Sequence, residues 1–136
     1  MKDQKNNKAL NIILWIAQGL LAAMFLMAGS TKAFQSIDVM AESLPWVTAT
    51  PLGLVRFVGI SELFGGLGLL LPSILRIKPF LTAWAAIGLA TIMVLAALFH
   101  ASRGEYSAIG ANVFILGIAL FVAWGRTKKA PITAKS

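Results

Sequence analysis

The sequence contains no cysteine and a single histidine. Disulfides, thiol redox chemistry and thiolate metal sites are thereby excluded within the chain. Zinc and haem sites of the usual ligand sets are excluded too, so no metal is expected. Charge is nearly as scarce. Asp, Glu, Lys and Arg make up 12% of the 136 residues, against about 25% in soluble domains. Acidic residues number five against twelve basic ones. No phosphate-binding fingerprint is present: Gly65-Gly66-Leu67-Gly68 sits inside an apolar run, without the strand–loop–helix context such a loop needs. No nucleophile–base pair can be assembled either. A water-soluble enzyme, a disordered tail and a free nucleic-acid binder are all poor fits.

What remains is apolar. Hydrophobic residues make up 58% of the chain, and the mean hydropathy is +0.81. They gather in four runs, at about 9–29, 52–71, 79–100 and 108–125. Each is close to the ~20 residues a helix needs to cross a ~30 Å hydrocarbon core. Backbone polar groups must be satisfied internally in lipid, so the runs should be helices. Stretches such as Leu67–Leu71 and Ile92–Phe99 lack the dyad alternation of a barrel strand. The expected fold is all-α, an integral membrane bundle of four transmembrane helices in one domain over 1–136. The first run follows a basic segment, as in a signal peptide, but is too long for one. Ala28-Gly29-Ser30 is a weak cleavage site, and the run is expected to remain as a span.

Lys and Arg set the orientation. Lys2, Lys5, Lys8, Arg76, Lys78, Arg126, Lys128, Lys129 and Lys135 all fall on one side of a four-span arrangement. The opposite loops hold Lys32 and Arg103, with Asp38, Glu42 and Glu105. Both termini are therefore expected in the cytoplasm, in a multi-pass protein of the inner (cytoplasmic) membrane. The net charge of +7 then faces lipid headgroups, not nucleic acid. Trp15, Trp84 and Trp124 fall near the cytoplasmic ends of their runs, as an interfacial aromatic belt would. The longest connection, Thr31–Pro51, carries Trp46 and an Ile37–Leu44 stretch that reads as a short surface helix closed by Pro45. Trp46 is placed to cover an outer cavity.

The second run is anomalous, because it contains Arg56 and Glu62. Each charge near mid-membrane costs at least ~2.5 kcal/mol on insertion scales, so such groups face the bundle interior. Helix geometry puts Glu62 about 15 Å deep, with Arg56 about 9 Å shallower and roughly 120° away. Water or a third residue would have to bridge them. By depth, Gln18 on the first run lies near Glu62, Asn112 on the fourth near Arg56, and His100 and Lys32 at the outer ends of the third and first. Lys32, His100, Arg56, Asn112, Glu62 and Gln18 together outline an outward-facing polar pocket for an anionic, quinone-like or lipid-like ligand. Glu62 would be its buried acid and His100 its proton carrier. The competing assignments are structural. Arg56 and Glu62 would fix helix register, Lys32 would snorkel to the headgroups, and Gln18 and Asn112 would bond between helices. Gly59, Gly65, Gly66, Gly68, Ala86 and Ala90 are read as close-packing positions.

The stretch from Arg56-Phe57-Val58-Gly59-Ile60-Ser61-Glu62 through Gly65-Gly66-Leu67-Gly68 to Pro72 resembles the signature of the DoxX-like family of small membrane proteins. Ala28-Gly29-Ser30-Thr31-Lys32, Ala85-Ala86-Ile87-Gly88-Leu89, His100-Ala101-Ser102-Arg103-Gly104-Glu105 and Trp124-Gly125-Arg126 extend the likeness over about nine-tenths of the chain. The resemblance implies a four-helix bundle with both termini inside. The family's name links it to a subunit of an archaeal thiosulfate:quinone oxidoreductase. Other relatives are associated with thiol-stress complexes or look like assembly factors. It points to an accessory subunit of a membrane redox system, partnered by a redox-enzyme subunit or by further copies of itself. The alternative is a non-enzymatic scaffold working through helix–helix contacts. Lys32, Arg56, Glu62 and His100 are the polar positions that match the family pattern.

Overall fold

The computed structural model describes residues 2–134, with side chains from Lys8 onwards. Lys135 and the side chains of Lys2 and Lys5, three of the charges used to orient the chain, lie outside the described residues. The elements in order are α1 (Lys2–Phe34), α2 (Ile37–Ser43), a 3-10 turn (Pro45–Ala49), α3 (Leu52–Leu75), α4 (Phe80–Ser102), α5 (Tyr106–Trp124) and a π-helical turn (Gly125–Lys129). No strand occurs among the described residues. Four helical stretches, Lys8–Phe34, Leu52–Leu75, Phe80–Ser102 and Tyr106–Lys129, are long and apolar enough to cross a membrane.

The helices overrun the apolar runs. The first run was expected to end at Gly29, but α1 passes unbroken through Ala28-Gly29-Ser30 and Lys32 to Phe34. The second was expected to stop at Pro72, but α3 carries Pro72 inside it and closes at Leu75. A proline inside a helix leaves one carbonyl without its N–H and crowds the preceding turn. Such breaks are tolerated where a neighbouring helix supplies hydrogen bonds. The carbonyl freed here is that of Gly68, and at the next residue Gln18 of α1 donates from Nε2 to the Leu69 carbonyl at 2.6 Å.

Large apolar side chains point outward all round the bundle: Ile16, Phe57, Phe64, Trp84, Leu95 and Phe114 are all exposed. That surface is the contact with the lipid bilayer. Inside, the core is built on Leu21, Phe25, Leu69, Leu89, Met93 and Val122, with Ala22, Ala86, Ala90, Ala119 and Ala123 between them. Small residues are the usual means of bringing helices close where lipid removes the hydrophobic drive to associate.

Helices α1 and α3 meet backbone to backbone. A Cβ on Gly29 would lie 2.7 Å from the Gly59 carbonyl oxygen, and one on Gly59 would lie 2.5 Å from the Ala33 nitrogen. This contact sets the register of the pair, and with it the polar contacts between α1 and α3 described below. At the end of the bundle away from the termini, Met40 of α2, Val47 of the 3-10 turn and Val55 of α3 form a second, smaller core. The expected surface helix is thus anchored. Ser36 caps it by accepting from the Val39 N–H at 3.4 Å, and Pro45 opens the 3-10 turn that follows.

Candidate functional site

The close approach at Gly59 carries Lys32 across the helix interface. Its Nζ lies 2.7 Å from Glu62 Oε1. The Glu62 side chain has no exposed surface, and that of Lys32 is 14% exposed. The expectation that Lys32 would snorkel to the headgroups is therefore corrected. The last turn of α1 extends past Gly29, so the ammonium turns inward to a buried carboxylate. Arg56 and Glu62 do not meet. Arg56 donates from Nη1 to the Lys32 carbonyl at 3.0 Å, satisfying one of the carbonyls left open at the end of α1. Lys32 is the third residue between them, gripped by Arg56 at its backbone and by Glu62 at its side chain.

Beside this pair is a cavity of about 500 Å3, lined by Lys32, Trp46, Glu62, His100 and Asn112 among largely apolar neighbours. Arg56 is not on its wall. Two buried polar atoms have no partner among the described residues: Glu62 Oε2 and Asn112 Nδ2. Buried polar groups are nearly always paired, so an orphaned acceptor and an orphaned donor on two residues that line one cavity are notable. The cavity contains enough volume for a small ring system and its polar substituents.

His100 stands at the end of α4, with Nδ1 3.0 Å from Glu105 Oε1. Arg103 donates from Nε to the same oxygen at 3.0 Å. The hydrogen bond from His100, aided by Arg103 and opposed by partial burial, holds the Glu105 carboxyl below the usual glutamate range. The imidazole also packs edge-on against Phe99 and Trp46, with ring centroids 5.5 and 6.1 Å away. Trp46 thus lies on the cavity wall, as its place in the α1–α3 connection suggested.

Gln18 belongs elsewhere. It is fully buried, but pairs with Leu69 and Ser73 of α3, well beyond Glu62 along that helix. Its assignment to the outer pocket is corrected. With α1 reaching Phe34, residue 18 sits about 21 Å along the helix from residue 32, at 1.5 Å per residue.

At that end is a cluster that the sequence did not reveal. Arg126, counted in the sequence as a charge of the C-terminal tail, is 5% exposed. It donates from Nε to Gln18 Oε1 at 2.6 Å and from Nη1 to Asn11 Oδ1 at 2.6 Å. Nη1 also reaches the Ala130 carbonyl at 2.8 Å, and the guanidinium stacks 5.2 Å from the Trp15 ring. Trp15 is therefore tied to Arg126, whereas Trp84 and Trp124 are exposed as belt residues would be. Ser73 and Thr82 complete the cluster with hydroxyls 2.7 Å apart. The π turn makes this possible by rotating residue 126 inward, and Gly125 leaves room for Leu14, which a Cβ would meet at 2.6 Å. The available signal was Trp124-Gly125-Arg126 opposite two amides, Asn11 and Gln18, on α1.

A family model described as the DoxX-like family matches residues 16–122. The chain belongs to the DoxX-like family. The matched segment contains Lys32, Arg56, Glu62, His100 and Asn112, and stops short of Arg126. With four apolar helices and this membership, it is a DoxX-like multi-pass membrane protein. No curated protein and no solved structure matches the chain. Among the described residues, no group of three or more His, Asp or Glu side chains is placed to hold a metal ion.

Proposed function

We propose that this DoxX-like protein is an accessory subunit of a membrane redox system, resident in the cytoplasmic membrane with both termini inside. In this reading the cavity beside Lys32 and Glu62 opens outward and receives a quinone-like or lipid-like ligand. The observation that carries it is the buried, unpartnered Oε2 of Glu62, a residue that lines the cavity. A carboxylate oxygen that is buried without a donor is costly. A ligand hydroxyl would satisfy it, and a ligand carbonyl would satisfy Asn112 Nδ2. A quinone–quinol pair presents both kinds of group around an apolar ring. His100 at the mouth is the natural proton carrier between such a ligand and water.

The test is native mass spectrometry of the gently solubilised protein, with solvent extraction of the same sample and ubiquinone or menaquinone added back. Glu62→Gln and Asn112→Leu run beside the wild type. A stoichiometric quinone or lipid that both variants lose supports the pocket. Equal retention by all three proteins overturns it.

A second reading is supported by a different observation. Gly88 of α4 and Gly110 and Gly117 of α5 face outward with no atom within 4 Å of where a Cβ would lie. Exposed small residues suit contact with a further membrane helix. A scaffold or assembly factor would show an empty cavity and a co-purifying protein lost on Gly117→Leu.

A further inference from the structure

A second recess opens at the end of the bundle that carries the termini, about 760 Å3 in volume. It owes nothing to the cavity beside Glu62. Three cations from separate parts of the chain line it: Lys8 of α1, Arg76 at the end of α3 and Lys129 of the π turn. No carboxylate lines it among the described residues. The salt bridges among the described residues involve only Lys32, His100 and Arg103 as cations, all at the far end of the bundle.

Three features sharpen this. Among the described residues Arg76 donates only from Nε, to the Thr133 carbonyl at 2.7 Å, and neither Nη group meets an acceptor. Its backbone is left-handed, at φ 57°, a conformation that glycine adopts more easily. Behind the wall lies the buried Arg126, whose hydrogen-bond partners are all neutral amides and carbonyls. Trp15 and Asn11, which bind Arg126, also line the recess. A buried cation with neutral partners favours an anion nearby.

We propose that this recess binds the phosphate of an anionic phospholipid. Arg76 presents its two Nη groups, which meet no acceptor among the described residues and suit a phosphate oxygen pair. Lys8 and Lys129 supply point charges on either side, and Ile74, Pro131 and Ile132 give the glycerol and first methylenes an apolar bed. Basic pockets between membrane helices are a known means of holding anionic headgroups.

The experiment is a native mass-spectrometric titration of the full chain with phosphatidylglycerol, phosphatidylcholine or inorganic phosphate. Lys8→Gln/Lys129→Gln and Arg76→Gly are compared with Lys78→Gln/Lys128→Gln, which removes two charges from the same end outside the recess. Arg76→Gly suits the left-handed backbone and so keeps the turn. The expected result is preferential retention of phosphatidylglycerol. Lys8→Gln/Lys129→Gln and Arg76→Gly each reduce it by roughly tenfold or more. Lys78→Gln/Lys128→Gln and Glu62→Gln retain it. Equal loss in both double variants would mean general surface charge and overturn the site. Inorganic phosphate that binds alone, and displaces phosphatidylglycerol with the same sensitivity to Arg76, would overturn the lipid as its source.

Discussion

Lys32 Nζ and Glu62 Oε1 are 2.7 Å apart across two helices whose backbones touch at Gly59. The pair is the ionic centre of the far half of the bundle, and it exists because no side chain separates the helices there. Removing one partner of a buried pair typically costs about 3–5 kcal/mol, since the other charge is left alone. Lys32→Met should therefore lower stability by about that amount, while Lys32→Met/Glu62→Met recovers most of it. Reversible unfolding in mixed detergent measures both. A double variant as damaged as the single would refute the pairing.

Gly59→Ala places a methyl within 2.5 Å of the Ala33 nitrogen and 2.7 Å of Lys32 Cβ. Backbone cannot swing aside as a side-chain tip can, and overpacking typically costs about 1–3 kcal/mol. Because the same contact positions Lys32, the ligand proposed for the cavity should be retained less well too. Gly88→Ala is the control: nothing lies within 4 Å, and alanine favours a helix by up to about 1 kcal/mol. Thermal midpoints should fall for the first and hold or rise for the second.

Arg126→Leu removes the donor to Gln18, Asn11 and Ala130 at once. The Gln18 acceptor, left buried and unpaired, costs about 1–3 kcal/mol, and the part-buried acceptors on Asn11 and Ala130 add less. Arg126→Lys should rescue only part of the loss, because an ammonium cannot reproduce the planar fork. Limited proteolysis of the tail after Lys129 gives a second readout, with faster cleavage expected in both variants.

The depressed ionisation of Glu105 has a definite sign. A carboxyl lowered in the folded state stabilises the fold fully above its unfolded value of about 4.3. That contribution is lost as pH falls through the lowered folded value. Wild type and Glu105→Gln should thus differ in thermal midpoint at pH 6 and converge towards pH 3. A difference unchanged over that range would show that the His100 and Arg103 contacts do not depend on the charge.

Hydropathy was sufficient for the four spans, because lipid demands that every backbone group be satisfied within its own helix. It misplaced their ends. Lys32 and Pro72 read as stops, yet a lysine paired inside the bundle and a proline whose turn receives a hydrogen bond from Gln18 do not end helices. The charges within α3 marked Arg56 and Glu62 as special, but depth alone could not say that Lys32 stands between them.

The sequence by itself determined the class of the molecule: an all-helical, four-span membrane protein of the DoxX-like family, with no thiol chemistry. Length and apolarity fix the spans, the missing cysteines exclude thiol chemistry, and the ordered motifs carry the family likeness, none of which needs a long-range contact. The tertiary structure decided which polar groups meet. The Gly29–Gly59 contact sets the register that joins Lys32 to Glu62 and Gln18 to Leu69, and the π turn after Trp124 buries Arg126 against Gln18. Register and facing depend on how two helix surfaces fit together, and no single-chain periodicity contains that information.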